Sequence, residues 1–413
     1  MIARYAGLLY QAFASSMDLA QRRLVITSNF FWCELRLIEY LTPMKIRAVS
    51  LSVIGVCFLA TFFTAWSQDG KTTPLSWDPR AAASYLDGRQ NWWTTWPNAA
   101  RDHDTFCVTC HTAVPYALAR PLLRATLEEH DLPAAERALL ANVTKRVRLW
   151  KEVQPFYADQ TSGLPKTSES RGTEAVLNAL ILANEDGSKG ALTDETRQAF
   201  NNLWALQFKT GELKGAWAWL NFGYEPWEAK GGPYFGAVLA AIAVGTTPSG
   251  YAADPDLQDP LKALRDFLQR NFENESLFNR VMALWGSTKL PALLTPSQRQ
   301  AVIDAVLRLQ QDDGGWSMSS LGPWKRLDGT PLDTNSDGYA TGLIALVLEQ
   351  SGTESTQTAT RKALSWLVRH QDRTTGMWSA SSLNKQRDAA SDTGKFMSDA
   401  ATGYAVLALT QAH

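Results

Sequence analysis

The chain has 413 residues, with 40 Lys and Arg against 41 Asp and Glu and a net charge of -1, so no field over the whole surface exists to hold a polyanion, and nucleic acid is excluded as a general partner. With 45% apolar and 20% charged residues it has the composition neither of a polytopic membrane protein nor of a disordered chain, and four Cys are too few for a disulfide framework at this length. The 16 Trp equal the Phe count and exceed the 11 Tyr, so large flat rings that each carry one N–H donor are in unusual demand.

Residues 1–43 carry Glu34, Arg36 and Glu39 inside their own apolar stretch and read as a non-structural extension left by a misplaced start. Met44-Lys45-Ile46-Arg47 then opens the pattern of an export signal: a basic start, an apolar run over residues 48–65, and a small-x-small site at Ala65-Trp66-Ser67. Residues 44–67 are therefore expected to be a signal peptide cut after Ser67. An uncleaved membrane anchor, with membrane association, is the alternative, because the run approaches the roughly 20 residues that span a bilayer. Either outcome places the remainder in the periplasm. Cys33 and Cys57 leave with the signal, so the mature chain keeps Cys107 and Cys110.

Those two residues bound the strongest motif in the chain, Cys107-Val108-Thr109-Cys110-His111. Two thiols three apart can each form a thioether to a vinyl group of one porphyrin, while the adjacent imidazole is held under the iron. Residues 68–130 are accordingly expected to be a small helical haem-binding segment. It would carry one covalently attached haem c, with Cys107 and Cys110 as anchors and His111 as axial ligand, as in c-type cytochromes. A bare disulfide, a thioredoxin-like pair and a zinc site are the competing readings; the second wants neighbouring strands and the third a further Cys pair. The second axial position stays open. Met282, Met318, Met377 and Met397 all lie far down the chain, and His103 is too near His111 in sequence to wrap round the macrocycle. His130, after a helical run over 116–129, is the candidate distal ligand, beside an open distal site and a ligand donated by the downstream domain. Tyr85, Trp92, Trp93, Trp96 and Tyr116 are expected to wall the haem.

From residue 131 the chain repeats a unit of helix, Gly/Trp loop and helix. Gln310, Gly314 and Trp316 recur as Gln371, Gly376 and Trp378, and Ser336-Asp337 recurs as Ser398-Asp399, the Trp and Ser steps both being 62 residues. Gln207, Gly215 and Trp217 form a third copy, and weaker ones start near 135 and 260, giving five helical pairs. In each pair a charged helix precedes one that is small and apolar, and a helix apolar all round must be enclosed on every side. The pairs then stack as an open solenoid or, as favoured here, a closed ring with the apolar helices inside. Ser-Asp before Gly or Ala is a helix start signal, which makes Asp337 and Asp399 expected N-caps.

Lys362-Ala363, Trp366-Leu367, Gln371, Gly376 and Trp378 resemble the QW repeat of squalene–hopene and oxidosqualene cyclases, with one extra residue between Gln and Gly. The resemblance spans most of residues 135–413 and implies the α/α toroid of terpenoid cyclases and protein prenyltransferases, with the Gln and Trp as structural ties between helices. The fold class expected is therefore all-α: a toroid over 131–413 preceded by the haem segment. The superfamily's catalytic signatures are missing. No Asp-x-Asp-Asp acid motif is present, no Cys follows Cys110 for a zinc site, and no Cys-Gly-Glu-Gln run exists for a thioester. Trp217, Trp219, Tyr224, Trp227, Tyr234 and Phe235, interspersed with Glu225, Glu228 and Lys230, either line a mouth for a hydrophobic or glycan small molecule or pack on their own domain. The function expected is that of a periplasmic c-type haem protein with a redox or electron-transfer role, passing electrons to a redox partner protein or into a pocket-bound substrate. The alternatives are a non-redox binding or scaffold toroid with a structural haem, and a cyclase-like enzyme using an unrecognised acid.

Overall fold

The computed structural model describes residues 76–187, 189–248, 250–352 and 354–411; the expected extension, the signal peptide, Cys33 and Cys57 lie outside them. The described chain is all-α apart from one two-stranded hairpin. Twelve helices of at least three turns follow one another: α1 (Pro79–Thr95), α2 (Ala113–Thr126), α3 (Ala134–Arg148), α4 (Lys166–Gly187), α5 (Asp194–Leu206) and α6 (Gly232–Thr246), then α7 (Gln258–Asn271), α8 (Leu277–Lys289), α9 (Pro296–Leu309), α10 (Gly338–Ser351), α11 (Gln357–His370) and α12 (Phe396–Gln411). The hairpin joins β1 (Ala100–Arg101) to β2 (Thr105–Phe106) between α1 and α2, with Ala100 opposite Phe106 and Arg101 opposite Thr105. Among the described residues no helix is long and apolar enough to cross a membrane.

Odd- and even-numbered helices differ in composition and so in place. Helix α7 carries Asp259, Lys262, Arg265, Asp266 and Arg270 and buries only Leu261, Leu264, Phe267 and Leu268. Helix α6 has no charged residue and is buried from Gly232 to Val244 save Pro233, and α10 is buried from Gly338 to Leu348. A helix with no polar face reaches low free energy only when neighbours cover it all round. The even helices achieve this by touching one another in sequence, α2 to α4, α4 to α6, α6 to α8, α8 to α10 and α10 to α12, and α12 returns to α2, so the circuit closes. Closure needs small residues at the last contact: a Cβ on Gly403 of α12 would stand 2.5 Å from the Pro115 side chain of α2.

The pair α1–α2, which lies before the expected division at residue 130, packs on the helices that follow it. Helices α1 and α2 make the first pair of six, in contact with α3, α4 and α12, and the described residues from Ser76 onward belong to one compact unit. The five-pair count missed it because α1 and α2 carry no Gln-Gly-Trp loop. The three loops that have one are tied alike. Gln207, Gln310 and Gln371 each donate from Nε2 to the carbonyl of their own loop glycine, at 3.0, 2.9 and 3.0 Å. Each also donates to the start of the next odd helix, at Pro260, Ala359 and Asp78. Trp217, Trp316 and Trp378 are fully buried and donate back to Leu203, Val306 and Leu367 of the preceding odd helix. The last of these ties joins chain end to chain beginning: Gln371 Oε1 accepts from Asp78 N at 2.6 Å, and Gly376, at φ 81°, lies so near the α1 backbone that a Cβ would meet the Ala81 carbonyl at 2.2 Å.

Asp337 is the expected cap: its Oδ1 accepts from the amides of Tyr339 and Ala340, and Oδ2 from Met318 N. Asp399 is not. A 3-10 turn over Thr393–Lys395 runs straight into α12, which begins at Phe396, so Asp399 sits inside the first turn and its carboxylate is taken up by other partners.

Candidate functional site

The segment 107–111 is fixed from three sides. Asn142 of α3 clamps the residue before it, accepting from Phe106 N at 2.8 Å and donating to Phe106 O at 3.0 Å. Trp93 of α1 donates from Nε1 to Cys107 O at 2.6 Å. The Thr109 hydroxyl accepts from the amides of Thr112 and Ala113, which would otherwise be free donors at the start of α2. Cys107, Cys110 and His111 all line one cavity of about 220 Å³. Its other walls include Trp93, Trp96, Tyr157, Trp227, Phe396 and Met397.

The His111 ring stacks on Phe396 with centroids 4.0 Å apart, meets Trp93 edge-on at 5.3 Å and lies 5.7 Å from Trp227. Its Nδ1 is 2.8 Å from Thr112 Oγ1, and that hydroxyl donates to Asp399 Oδ2 at 2.7 Å. Because the Thr112 proton goes to the carboxylate, the oxygen accepts from Nδ1–H. This assigns the tautomer and leaves Nε2 as the lone-pair nitrogen, without a hydrogen-bond partner among the described residues. Burial, with Arg89 and Arg387 adding to it, pushes the imidazole down to about 3, so it stays neutral at any ordinary pH. Behind it Asp399 is fully buried and receives Arg89 Nε at 2.7 Å, Arg89 Nη2 at 3.1 Å and the Tyr85 hydroxyl at 2.9 Å. Burial raises this carboxyl while Arg89, Thr112 and Tyr85 pull it back.

Both cysteines are free thiols. Burial pushes Cys107 up to about 12 and Cys110 well above its ordinary value, with Glu228 adding to the shift of each. Redox-active dithiols sit where positive charge lowers the pKa; here burial outweighs the charges around the pair, Arg101 included, and raises both thiols. Among the described residues no group of three or more His, Cys, Asp and Glu is arranged to hold a metal ion by side chains alone. A porphyrin brings its own ring nitrogens, so one neutral imidazole with a free nitrogen suffices for it. The aromatic wall, the paired thiols and that imidazole therefore fit a haem.

The other expected site residues scatter. His130 is exposed between α2 and α3 and does not line the cavity, which corrects its place as candidate distal ligand: α2 ends at Thr126 and the chain turns away to α3. His103 occupies the tip of the hairpin at φ 54°, exposed and paired with Asp102. Trp93 and Trp96 do wall the cavity, whereas Trp92 stacks on Trp96 at 5.1 Å outside it and the Tyr116 hydroxyl donates to Asp87. Of the six aromatics expected at a mouth only Tyr224 and Trp227 reach the cavity; Trp217, Trp219, Tyr234 and Phe235 are core. Met397, set aside on sequence distance, lies on its wall, as do Glu228 and Arg387. Glu228 stood in the aromatic cluster expected either to line a mouth or to pack on its own domain, whereas no local signal marked Met397 and Arg387 as wall residues, since they come from a helix start and a loop that the ring brings round to its first pair. The chain matches no family model, and no curated protein matches it.

Proposed function

We propose that the chain is an exported, periplasmic c-type haem protein with a redox role, carried on an α/α toroid of six helical pairs. Cys107 and Cys110 would hold one haem through thioethers and His111 would bind its iron. The observation that supports this most is the gathering of all three residues on one aromatic cavity, with His111 neutral, oriented through Nδ1 and free at Nε2. When bound, the haem supplies a one-electron centre whose potential follows its axial ligands and its burial.

The protein's own residues set that environment. Thr112 orients the imidazole, and the Asp399 carboxylate behind it draws on the Nδ1 proton, which makes Nε2 a stronger donor and favours the oxidised state. Arg89 opposes the effect of burial on that carboxylate and holds it in place. Trp93, Trp227 and Phe396 pack round the imidazole ring. Arg387, which has no hydrogen bond or ion pair among the described residues, is a cation available to the haem carboxylates at the cavity wall. Electrons would pass to and from a redox partner protein through the half-buried Trp92–Trp96 stack beside the cavity.

Pyridine haemochrome spectroscopy on the full chain, expressed with a haem-attachment system, tests this. A thioether-type band is expected, and it should vanish in the Cys107→Ala, Cys110→Ala double variant. A colourless, iron-free wild-type protein would sink the reading.

A further inference from the structure

Glu228 is the one carboxylate on the cavity wall among the described residues. Its backbone is held rigidly: Glu228 N donates to Tyr224 O at 2.8 Å, and Glu228 O accepts from both Phe222 N and Tyr224 N at 2.9 Å. The neighbouring Trp227 is pinned by its Nε1–H to the Tyr339 hydroxyl. Asn384, on the cavity wall, bonds both ways to the backbone of Glu225 at 2.7 Å. The carboxylate itself has no hydrogen bond or ion pair among the described residues, and burial lifts it to about 7 against the pull of Lys166. The groups facing it are Lys166, already engaged with Glu169 at 2.6 Å, the phenols of Tyr157 and Tyr224, the thiols of Cys107 and Cys110, and Arg387. Glu228 is half-buried, and its carboxylate opens on the cavity and not on a protein partner. A reaction that must take up and return a proton near neutral pH can use such a group.

Resting on the haem reading above, we propose that Glu228 is a proton-transferring group facing the open side of the haem, and that the cavity reduces a small hydroperoxide. The chemistry balances as follows. The O–O bond of ROOH breaks. Glu228 takes the proton from the inner oxygen and returns it to the outer one, which leaves as ROH. The inner oxygen accepts two electrons, delivered singly by a one-electron donor protein, and two solvent protons, and leaves as water. A neutral hydroperoxide suits a wall that carries a carboxylate, where an anion would be repelled, and it offers the transferable proton that a hydrocarbon lacks. An electron carrier that fills both axial positions has no use for a free carboxylate here; Met397, on the same wall, is the group that would fill the second one.

The test uses the ferric, haem-loaded full chain. It is mixed with hydrogen cyanide, a weak acid that must lose its proton to bind iron, and separately with hydrogen peroxide and a small aromatic one-electron donor. Cyanide association and peroxide consumption are both expected to fall about 100-fold in Glu228→Gln, with Glu228→Asp between the two and far-UV circular dichroism unchanged. The inference fails if the ferrous protein does not bind carbon monoxide, if peroxide disappears no faster than with the heat-unfolded protein, or if Glu228→Gln matches wild type in both rates. In each case the thioether band remains, so the haem reading stands while this one falls. A colourless protein removes both.

Discussion

Asp337 and Asp399 stand 62 residues apart in equivalent turns of consecutive repeats, and they do different work. Asp337 spends its oxygens on three backbone amides and starts α10. Asp399 lies inside α12, binds Arg89 of α1 and the Thr112 hydroxyl, and through Thr112 stands behind His111. The first is scaffold, local to its repeat. The second exists only because the last helix packs against the first pair, which supplies an arginine where the equivalent place beside Asp337 has none. Repetition builds the ring, and the seam where the ring closes is where a repeated residue is free to acquire chemistry.

Breaking the two aspartates separately should show this most strongly. Asp399→Ala takes from Arg89 its fully buried partner, leaving it the half-exposed Asp392 at 2.8 Å, and is expected to cost about 3 kcal/mol in urea unfolding. Asp337→Ala loses a cap and is expected to cost about 0.5–2 kcal/mol. Equal losses would refute the distinction. Asp399→Asn sharpens it: in the haem-loaded protein the weaker acceptor behind Thr112 should raise the midpoint potential in a redox titration, whereas Asp337→Asn should leave the potential where it was.

The Gln ties offer a finer comparison between seam and interior. Gln310→Ala removes two hydrogen bonds and is expected to cost about 1–3 kcal/mol; Gln371→Ala removes a third, from Asp78 N, and should lie at the upper end of that range. Chemical denaturation of the two variants side by side decides it, and a Gln310 loss larger than that of Gln371 would go against a special role for closure.

The smallest effect concerns Glu228 and has a definite sign. Burial raises its pKa in the fold from 4.5 to about 7, so the folded chain holds the proton more tightly than the unfolded one. That contribution to stability is complete below about pH 4.5 and is lost as the pH rises through 7. Glu228→Gln should therefore melt higher than wild type by the equivalent of about 1–2 kcal/mol at pH 8, with the difference vanishing near pH 4. A gain in stability joined to a loss of rate is the pattern expected of a functional carboxylate.

Much of the scaffold was legible because its signals are local. The Gln, Gly and Trp of the loops, charged helices alternating with apolar ones, and Asp before Gly each act within a few residues of where they are written. The first pair was not legible: α1 and α2 lack that loop, and their partners α4 and α12 lie up to some 300 residues away. Asp399 was misplaced because a local cap signal yielded to Arg89, 310 residues distant, a long-range ion pair that no window contains. His130 failed as a ligand because proximity in sequence says nothing about where a chain goes after a helix ends.

By itself the sequence determined that the helices would be of two kinds and that two thiols and an imidazole would stand together, since both follow from neighbouring residues and covalent spacing. Only the tertiary structure decided what surrounds the imidazole. Closing six pairs of helices brings Arg89, Thr112 and Asp399 behind it, and Trp227, Glu228, Arg387 and Met397 round the cavity it lines, from segments whose meeting depends on how buried apolar faces pack.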